Sequence, residues 1–230
     1  MVAGTGDTAS TSECHGRAAL LLLCSCQSPG ALSQPLRLSV GASSAQRQAS
    51  LARPSSGSGA ANEGGSGAEL PFFAHAPSVD ETPTQSESAR ALTIRLAGAK
   101  AQTISTLHPT ACVISTDQSA DCAGEILGKP QSKDRAVDML HRLSGKEVSF
   151  FTTVGFCAPN TPLRLHTEEV VVSVRKLSHA EIVRYVDADE PLDCAGGFKV
   201  ECLGISLFRS VKSEDPTALE GLPLIQLCQW

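Results

Sequence analysis

The 230 residues, 41% of them hydrophobic, allow one ordinary domain with extra material or two small ones. A formal net charge of −5 argues against nucleic acid or an anionic membrane as the main partner, yet leaves room for a nucleotide held in a local basic pocket. Nine scattered cysteines, an odd number without repeated CxxC spacing, read as free thiols in a reducing compartment rather than as a disulfide framework or zinc site.

Residues 1–37 are rich in Ser, Gly and Ala, and their one apolar run, Ala18–Cys24, is too short to span a bilayer. They read as a disordered or targeting extension to a domain over 38–230. Within that domain, 54–69 is a low-complexity insertion, since Ser55-Ser-Gly-Ser-Gly and Gly64-Gly-Ser-Gly cannot bury apolar area. From Leu70 onward the pattern is that of a packed α/β domain. A helix is predicted over Ala89–Ser105, with Ala91, Ile94, Arg95, Ala97, Gly98, Ala101 and Ile104 on its packing face. A buried strand over Ala111–Ser115 ends in Asp117 and Gln118, and a tight hairpin returns Lys129 and Pro130 to the same neighbourhood.

Lys133–Leu143 is a second helix, stopped by Gly145, and strands follow over Glu147–Cys157 and His166–Lys176. Ser178 and Glu181 form a capping box for a helix through Tyr185 and Val186. A strand over Gly204–Phe208 and a last helical turn or two over Leu222–Cys228 complete the order. Alternating strands and helices predict an α/β fold with a mixed β-sheet and flanking helices.

A carboxylate at a strand end near a lysine suits the hydrolysis of a phosphate anhydride. The acid takes a proton from water or holds a metal, and the lysine neutralises phosphate oxygens. The stretch from Ser78 to Gln229 resembles the Maf (septum-formation-inhibitor-like) nucleotide pyrophosphatases. The resemblance is carried in family order by Val79-Asp-Glu81-Thr-Pro83, Lys100-Ala101, Ser115-Thr-Asp117-Gln118, Gly124-Glu-Ile-Leu-Gly-Lys129-Pro130, Phe198-Lys199-Val-Glu201 and Asp215-Pro-Thr-Ala-Leu-Glu-Gly-Leu-Pro223. The family's Ser-x-Ser-Pro-x-Arg-Arg opening is matched by 42–48, where Ser44 and Arg47 align but Ala42, Ala45 and Gln48 depart.

The resemblance implies an elongated α/β fold with a deep cleft, similar to the inosine-triphosphate pyrophosphatases. It implies cleavage of a nucleoside triphosphate to monophosphate and pyrophosphate with a divalent cation (Mg, Mn or Co). Asp117 is then the catalytic base, Glu81 a metal ligand, and Ser44, Arg47, Lys100, Lys129 and Lys199 bind phosphate or substrate. Gln46, Gln118 and Glu201 would set specificity, and Asp117-Gln118 with Glu201 looks like the subfamily that prefers 7-methyl-GTP. The same reading implies a cytoplasmic protein with a nucleotide partner, no nucleic acid or membrane, and room for a homodimer. A degenerate nucleotide-binding or division-linked homologue, or a dTTP/UTP pyrophosphatase, stays open beside it.

Overall fold

The computed structural model describes residues 77–230 in full and the backbone of two short strands, β1 (Leu38–Gly41) and β2 (Phe72–His75). The expectations for 1–37, for 54–69 and for Ser44, Gln46 and Arg47 lie outside the described residues.

After β2 the chain enters α1 (Ala89–Leu107), whose N-cap Ser88 accepts the Ala91 N–H. It returns as β3 (Cys112–Cys122), parallel to β1, which is in turn parallel to β2. A hairpin adds β4 (Glu125–Leu127), followed by α2 (Lys133–Leu143), β5 (Glu147–Cys157) and β6 (Arg164–Val174). The capping box at Ser178 opens α3 (His179–Asp189), and β7 (Phe208–Lys212) and α4 (Leu224–Cys228) close the order. The strands form one mixed sheet in the order β2-β1-β3-β5-β6-β7, with β4 paired to β3. Among the described residues no helix is long and apolar enough to cross a membrane.

Side chains alternate across a strand, so each face of this sheet acquires its own cover. Odd-numbered positions of β3 meet α1, where Val113 packs with Ile104 and Cys157. Even-numbered positions face the other way. There Ala120, Phe150 and Val170 join Leu140, Ile182 and Tyr185 from α2 and α3 in the main core, and Cys112 and Ile114 pack with Leu227 of α4.

One edge of β3 is paired with β5 from Val113 to Asp121. The other is shared, by β1 over Cys112–Ser115 and by β4 over Ala120–Cys122. Between them, Thr116–Ser119 have no strand partner on that edge among the described residues.

Three sequence expectations need correction. Asp117 is not at a strand end, because the antiparallel ladder with β5 carries β3 onward to Cys122. Gly204–Phe208 is not a strand: Leu203–Leu207 is a 3-10 turn, closed by the Gly204 N–H on the Lys199 carbonyl at 2.9 Å. A Cβ at Gly204 would lie 2.3 Å from that oxygen, so only glycine fits the turn. Finally, the buried stripe of α1 is rotated from the expected one. Leu92, Leu96 and Lys100 face inward with Ala97, Ala101 and Ile104, whereas Ala91 and Ile94 face outward. The two leucines bury more apolar area than Ala91 does, and the lysine is drawn in by acids.

Candidate active site

Lys100 projects from the middle of α1 and is fully buried. A buried ammonium is costly unless charges compensate it, and here two carboxylates do. Its Nζ donates to Glu81 Oε1 and to Asp117 Oδ1, each at 2.7 Å. The Asp117 side chain is 7% exposed and that of Glu81 43%, so the centre is closed at the strand and open at the loop. The three groups together carry one excess negative charge.

The sheet around Asp117 is locked to α1 by hydroxyls. Thr153, opposite Asp117 on β5, donates to Thr93 Oγ1 at 2.9 Å and lies 2.8 Å from Thr167 Oγ1. Ser115 Oγ donates to the Ala97 carbonyl at 2.8 Å. Gly155 leaves space for that hydroxyl, since a Cβ there would stand 2.5 Å from Ser115 Oγ.

Glu81 belongs to the segment between β2 and α1, and Arg95 clips that segment down. The guanidinium donates to both oxygens of Glu87, at 2.8 and 2.9 Å, and to the Thr82 carbonyl at 3.0 Å. The Arg95 fork, helped by the Thr84 N–H, lowers the Glu87 carboxyl to about 2. Asp80 Oδ1 accepts the Thr82 N–H at 2.9 Å, a turn that fixes the backbone around Glu81 and lowers the Asp80 carboxyl.

Gln118 points to the opposite face. Its Nε2 shares its hydrogens among Thr152 Oγ1 at 3.0 Å and the carbonyls of Ala218 at 3.0 Å and Leu219 at 3.2 Å. Thr152 Oγ1 donates to the same Ala218 carbonyl at 2.8 Å, and Thr116 Oγ1 to that of Gly221 at 2.6 Å. These three side chains pin the 3-10 turn Pro216–Glu220 to the sheet. Behind the turn, Asp215 accepts the N–H groups of Thr217 and Ile225, and Glu168 accepts those of Glu214 and Asp215.

Between this turn and the 193–201 segment opens a small cavity, partly open to solvent. Gln118, Lys129, Phe150, Phe198, Glu201 and Glu220 are among the residues lining it. Phe150 and Phe198 meet edge to face, with ring centroids 5.2 Å apart. Burial, and then the charge of Glu201, raise the Glu220 carboxyl above its ordinary value.

The structure thus gathers the sequence candidates into two groups, Glu81, Lys100 and Asp117 on the α1 face and Gln118, Lys129 and Glu201 on the other. Lys199 joins neither, for its Nζ donates to the Asp189 carbonyl at the end of α3, at 2.7 Å, and it does not line the cavity. Ser44, Gln46 and Arg47 follow β1, whose last residue, Gly41, pairs with Ser115, two positions before Asp117. Arg95 and Glu220 were not singled out by sequence reasoning for the site. An arginine in a helix of small residues, eight positions after a glutamate, was the available signal for the first. The second lay inside a motif read only as a whole.

The family model described as Maf-like protein matches residues 65–230. A 7-methyl-GTP pyrophosphatase of Xanthomonas oryzae pv. oryzae is 46% identical over 162 residues, covering 70% of this chain and 84% of its own. A protein of the same name from Pseudomonas aeruginosa is 43% identical over 159 residues, covering 69% and 83%. Among solved structures, a nucleoside-triphosphatase (dITP/XTP pyrophosphatase) of Mycobacterium abscessus aligns with 62% of this chain and 74% of its own. Its identity of 12% and TM-score of 0.35 are too low to bear on the reading.

Proposed function

The chain belongs to the Maf family, and on that premise we propose that it hydrolyses nucleoside triphosphates, 7-methyl-GTP foremost, to the monophosphate and pyrophosphate. One observation carries this reading. Asp117 and Gln118 are consecutive yet face opposite sides of the sheet, at the stretch of β3 that the described strands β1 and β4 do not pair. A nucleotide laid across that stretch brings its phosphates to the acid–lysine centre and its base to the cavity.

In the proposed reaction Asp117 accepts a proton from water as the water oxygen attacks the α-phosphorus. A new P–O bond forms there, the bond from that phosphorus to its oxygen bridge breaks, and the bridging oxygen leaves with pyrophosphate. Lys100 offsets the phosphate charge from the α1 face and Lys129 from the cavity side. Ser44 and Arg47 are assigned to the same clamp from the segment after β1.

Glu81 would hold a magnesium-like ion, which takes one or two protein carboxylates and otherwise keeps water and substrate oxygens. Among the described residues no cluster of three or more His, Cys, Asp or Glu offers an all-protein cage instead. Such an ion would supply charge stabilisation for the leaving pyrophosphate. In the cavity Glu201 accepts from the ring N–H and exocyclic amine of guanine, donors that uracil and thymine lack as a pair. Methylation makes the purine cationic, and a carboxylate gains Coulomb energy from it. Gln118, its amide engaged by the 218–219 carbonyls, serves specificity by holding the cavity wall. Gln46 supplies no aromatic face for stacking, so the preference for the cationic base is narrower than an aromatic residue would make it.

The test is turnover of a panel of 7-methyl-GTP, GTP, UTP and dTTP by purified protein, with pyrophosphate as the readout. The expected order puts 7-methyl-GTP first, and UTP or dTTP at equal efficiency overturns the assignment. A second reading draws on Ala42, Ala45 and Gln48, which depart from the family's opening motif. Binding of the panel without turnover supports that degenerate homologue.

A further inference from the structure

The cavity beside Gln118 carries more acid than one guanine-reading glutamate explains. Glu201 lines it from the 193–201 segment and Glu220 from the end of the Pro216–Glu220 turn, with Asp193 as a third acid and Lys129 as the one basic residue of the lining among the described residues. Glu220 is not carried on a loose loop. The carbonyls of Ala218, Leu219 and Gly221 on either side of it are tied to Thr152, Gln118 and Thr116 of the sheet. Directly after it, Gly221 takes a φ of 101°, the left-handed turn that stops the 3-10 helix and leaves the Glu220 side chain at the rim.

We propose that Glu220 is a second specificity-determining residue, which with Glu201 selects a nucleobase carrying a positive charge. The inference rests on the cavity being the base site. Two carboxylates sharing one cavity repel each other, and the Glu220 carboxyl is raised first by burial and then by the charge of Glu201. A neutral guanine hydrogen-bonded to Glu201 covers one acid and leaves the repulsion in place. A 7-methylguanine ring spreads its positive charge over the imidazole half of the purine, away from the edge that Glu201 reads, and interacts favourably with both acids. Preference for the cation then arises from a penalty on neutral bases as well as an attraction.

Steady-state kinetics on 7-methyl-GTP and GTP, with the wild type, Glu220→Gln, Glu220→Asp and Glu201→Gln, test this. The 7-methyl-GTP to GTP ratio of kcat/KM falls about tenfold in Glu220→Gln, about 1.4 kcal/mol, mainly because the methylated substrate is bound less tightly and its KM rises. Glu220→Asp keeps most of the preference because it keeps the charge. Calorimetry with the nucleosides gives a readout independent of turnover: Glu220→Gln weakens 7-methylguanosine binding more than guanosine binding. A wild type that prefers 7-methyl-GTP, with an unchanged ratio in Glu220→Gln, overturns the role of Glu220 and leaves the base site standing. Equal weakening of both nucleosides likewise makes Glu220 merely structural and overturns it. A wild type without any preference overturns both readings.

Discussion

On the α1 face each charge around Asp117 is held by another charge, whereas on the opposite face Gln118 is held by main-chain carbonyls and the acids beyond it share a lining with one lysine. In the first region Asp117 is buried, and the geometry is set by two contacts of 2.7 Å to a lysine with no exposed surface. The second is a rigid wall with an open rim. Under the proposed function the difference follows from their tasks. A proton-accepting carboxylate must stay where the water will be, and a buried ion pair fixes it there. A base-reading rim must instead be rewarded by the ligand, so its charges are best satisfied when the nucleobase arrives.

The sharpest way to break this contrast is Lys100→Met. Removing the cation leaves Asp117 buried against Glu81, and losing one partner of a buried ion pair costs about 3–5 kcal/mol. Chemical denaturation should show that loss, with turnover falling alongside it. The corresponding change at an exposed lysine such as Lys133, which pairs with Asp187 and Glu190 at the surface, should cost far less. Equal costs at the two sites would erase the distinction between the regions.

Asp117→Asn separates chemistry from folding. It keeps shape and can still hydrogen-bond near Lys100, so the protein should stay folded while kcat falls by about 10²–10⁴. Unchanged turnover in a folded variant removes Asp117 from the mechanism. Gln118→Met probes the other face one residue away. It leaves the Leu219 carbonyl without its side-chain donor, a loss of about 1–3 kcal/mol, and should loosen nucleotide selectivity more than it lowers kcat on the best substrate. A fall in kcat as deep as that of Asp117→Asn would show that the two faces work as one unit.

Arg95→Gln releases the Glu81 segment without touching Asp117, and turnover should fall about tenfold, the scale seen when a supporting partner of an active-site ligand is lost. The smallest effect is in its pH dependence. The Glu87 carboxyl is lowered in the folded protein from the ordinary 4.5 to about 2, so the clip's contribution to stability is complete above pH 4.5 and is lost as pH falls through about 2. The stability difference between wild type and Arg95→Gln should therefore be constant above pH 4.5 and close on acidification. A gap that widens with acid would contradict the assignment of Glu87 as Arg95's partner.

Much of the fold was legible wherever the signal is local. Lys133–Leu143 shows its apolar face at helical spacing, Val170, Val172 and Val174 alternate, and Ser178 with Glu181 spells a cap, and all three elements are present in the structure. The readings that failed concern long-range partners. Asp117 and Gln118 look like the end of a strand because they are polar, and only β5 on one side and the Pro216–Glu220 turn on the other make mid-strand positions of them. Leu203–Leu207 reads as a strand by composition, but contacts with Lys199 and Asp189 curl it into a 3-10 turn.

The candidate site divides in the same way. Residue types, and the family resemblance that their motif order carries, pointed to Asp117, Lys100, Glu81, Lys129 and Glu201 as one candidate set, because each type is suited to phosphate, metal or guanine. Tertiary structure alone decided that Lys100 lies between Asp117 and Glu81, that Lys199 turns away to α3, and that Arg95 and Glu220 join the site. The physical reason is that a side chain's chemistry is covalent and travels with the sequence. Its partners are chosen by burial and by which face of the sheet it points from, and both exist only once β3 is paired and covered.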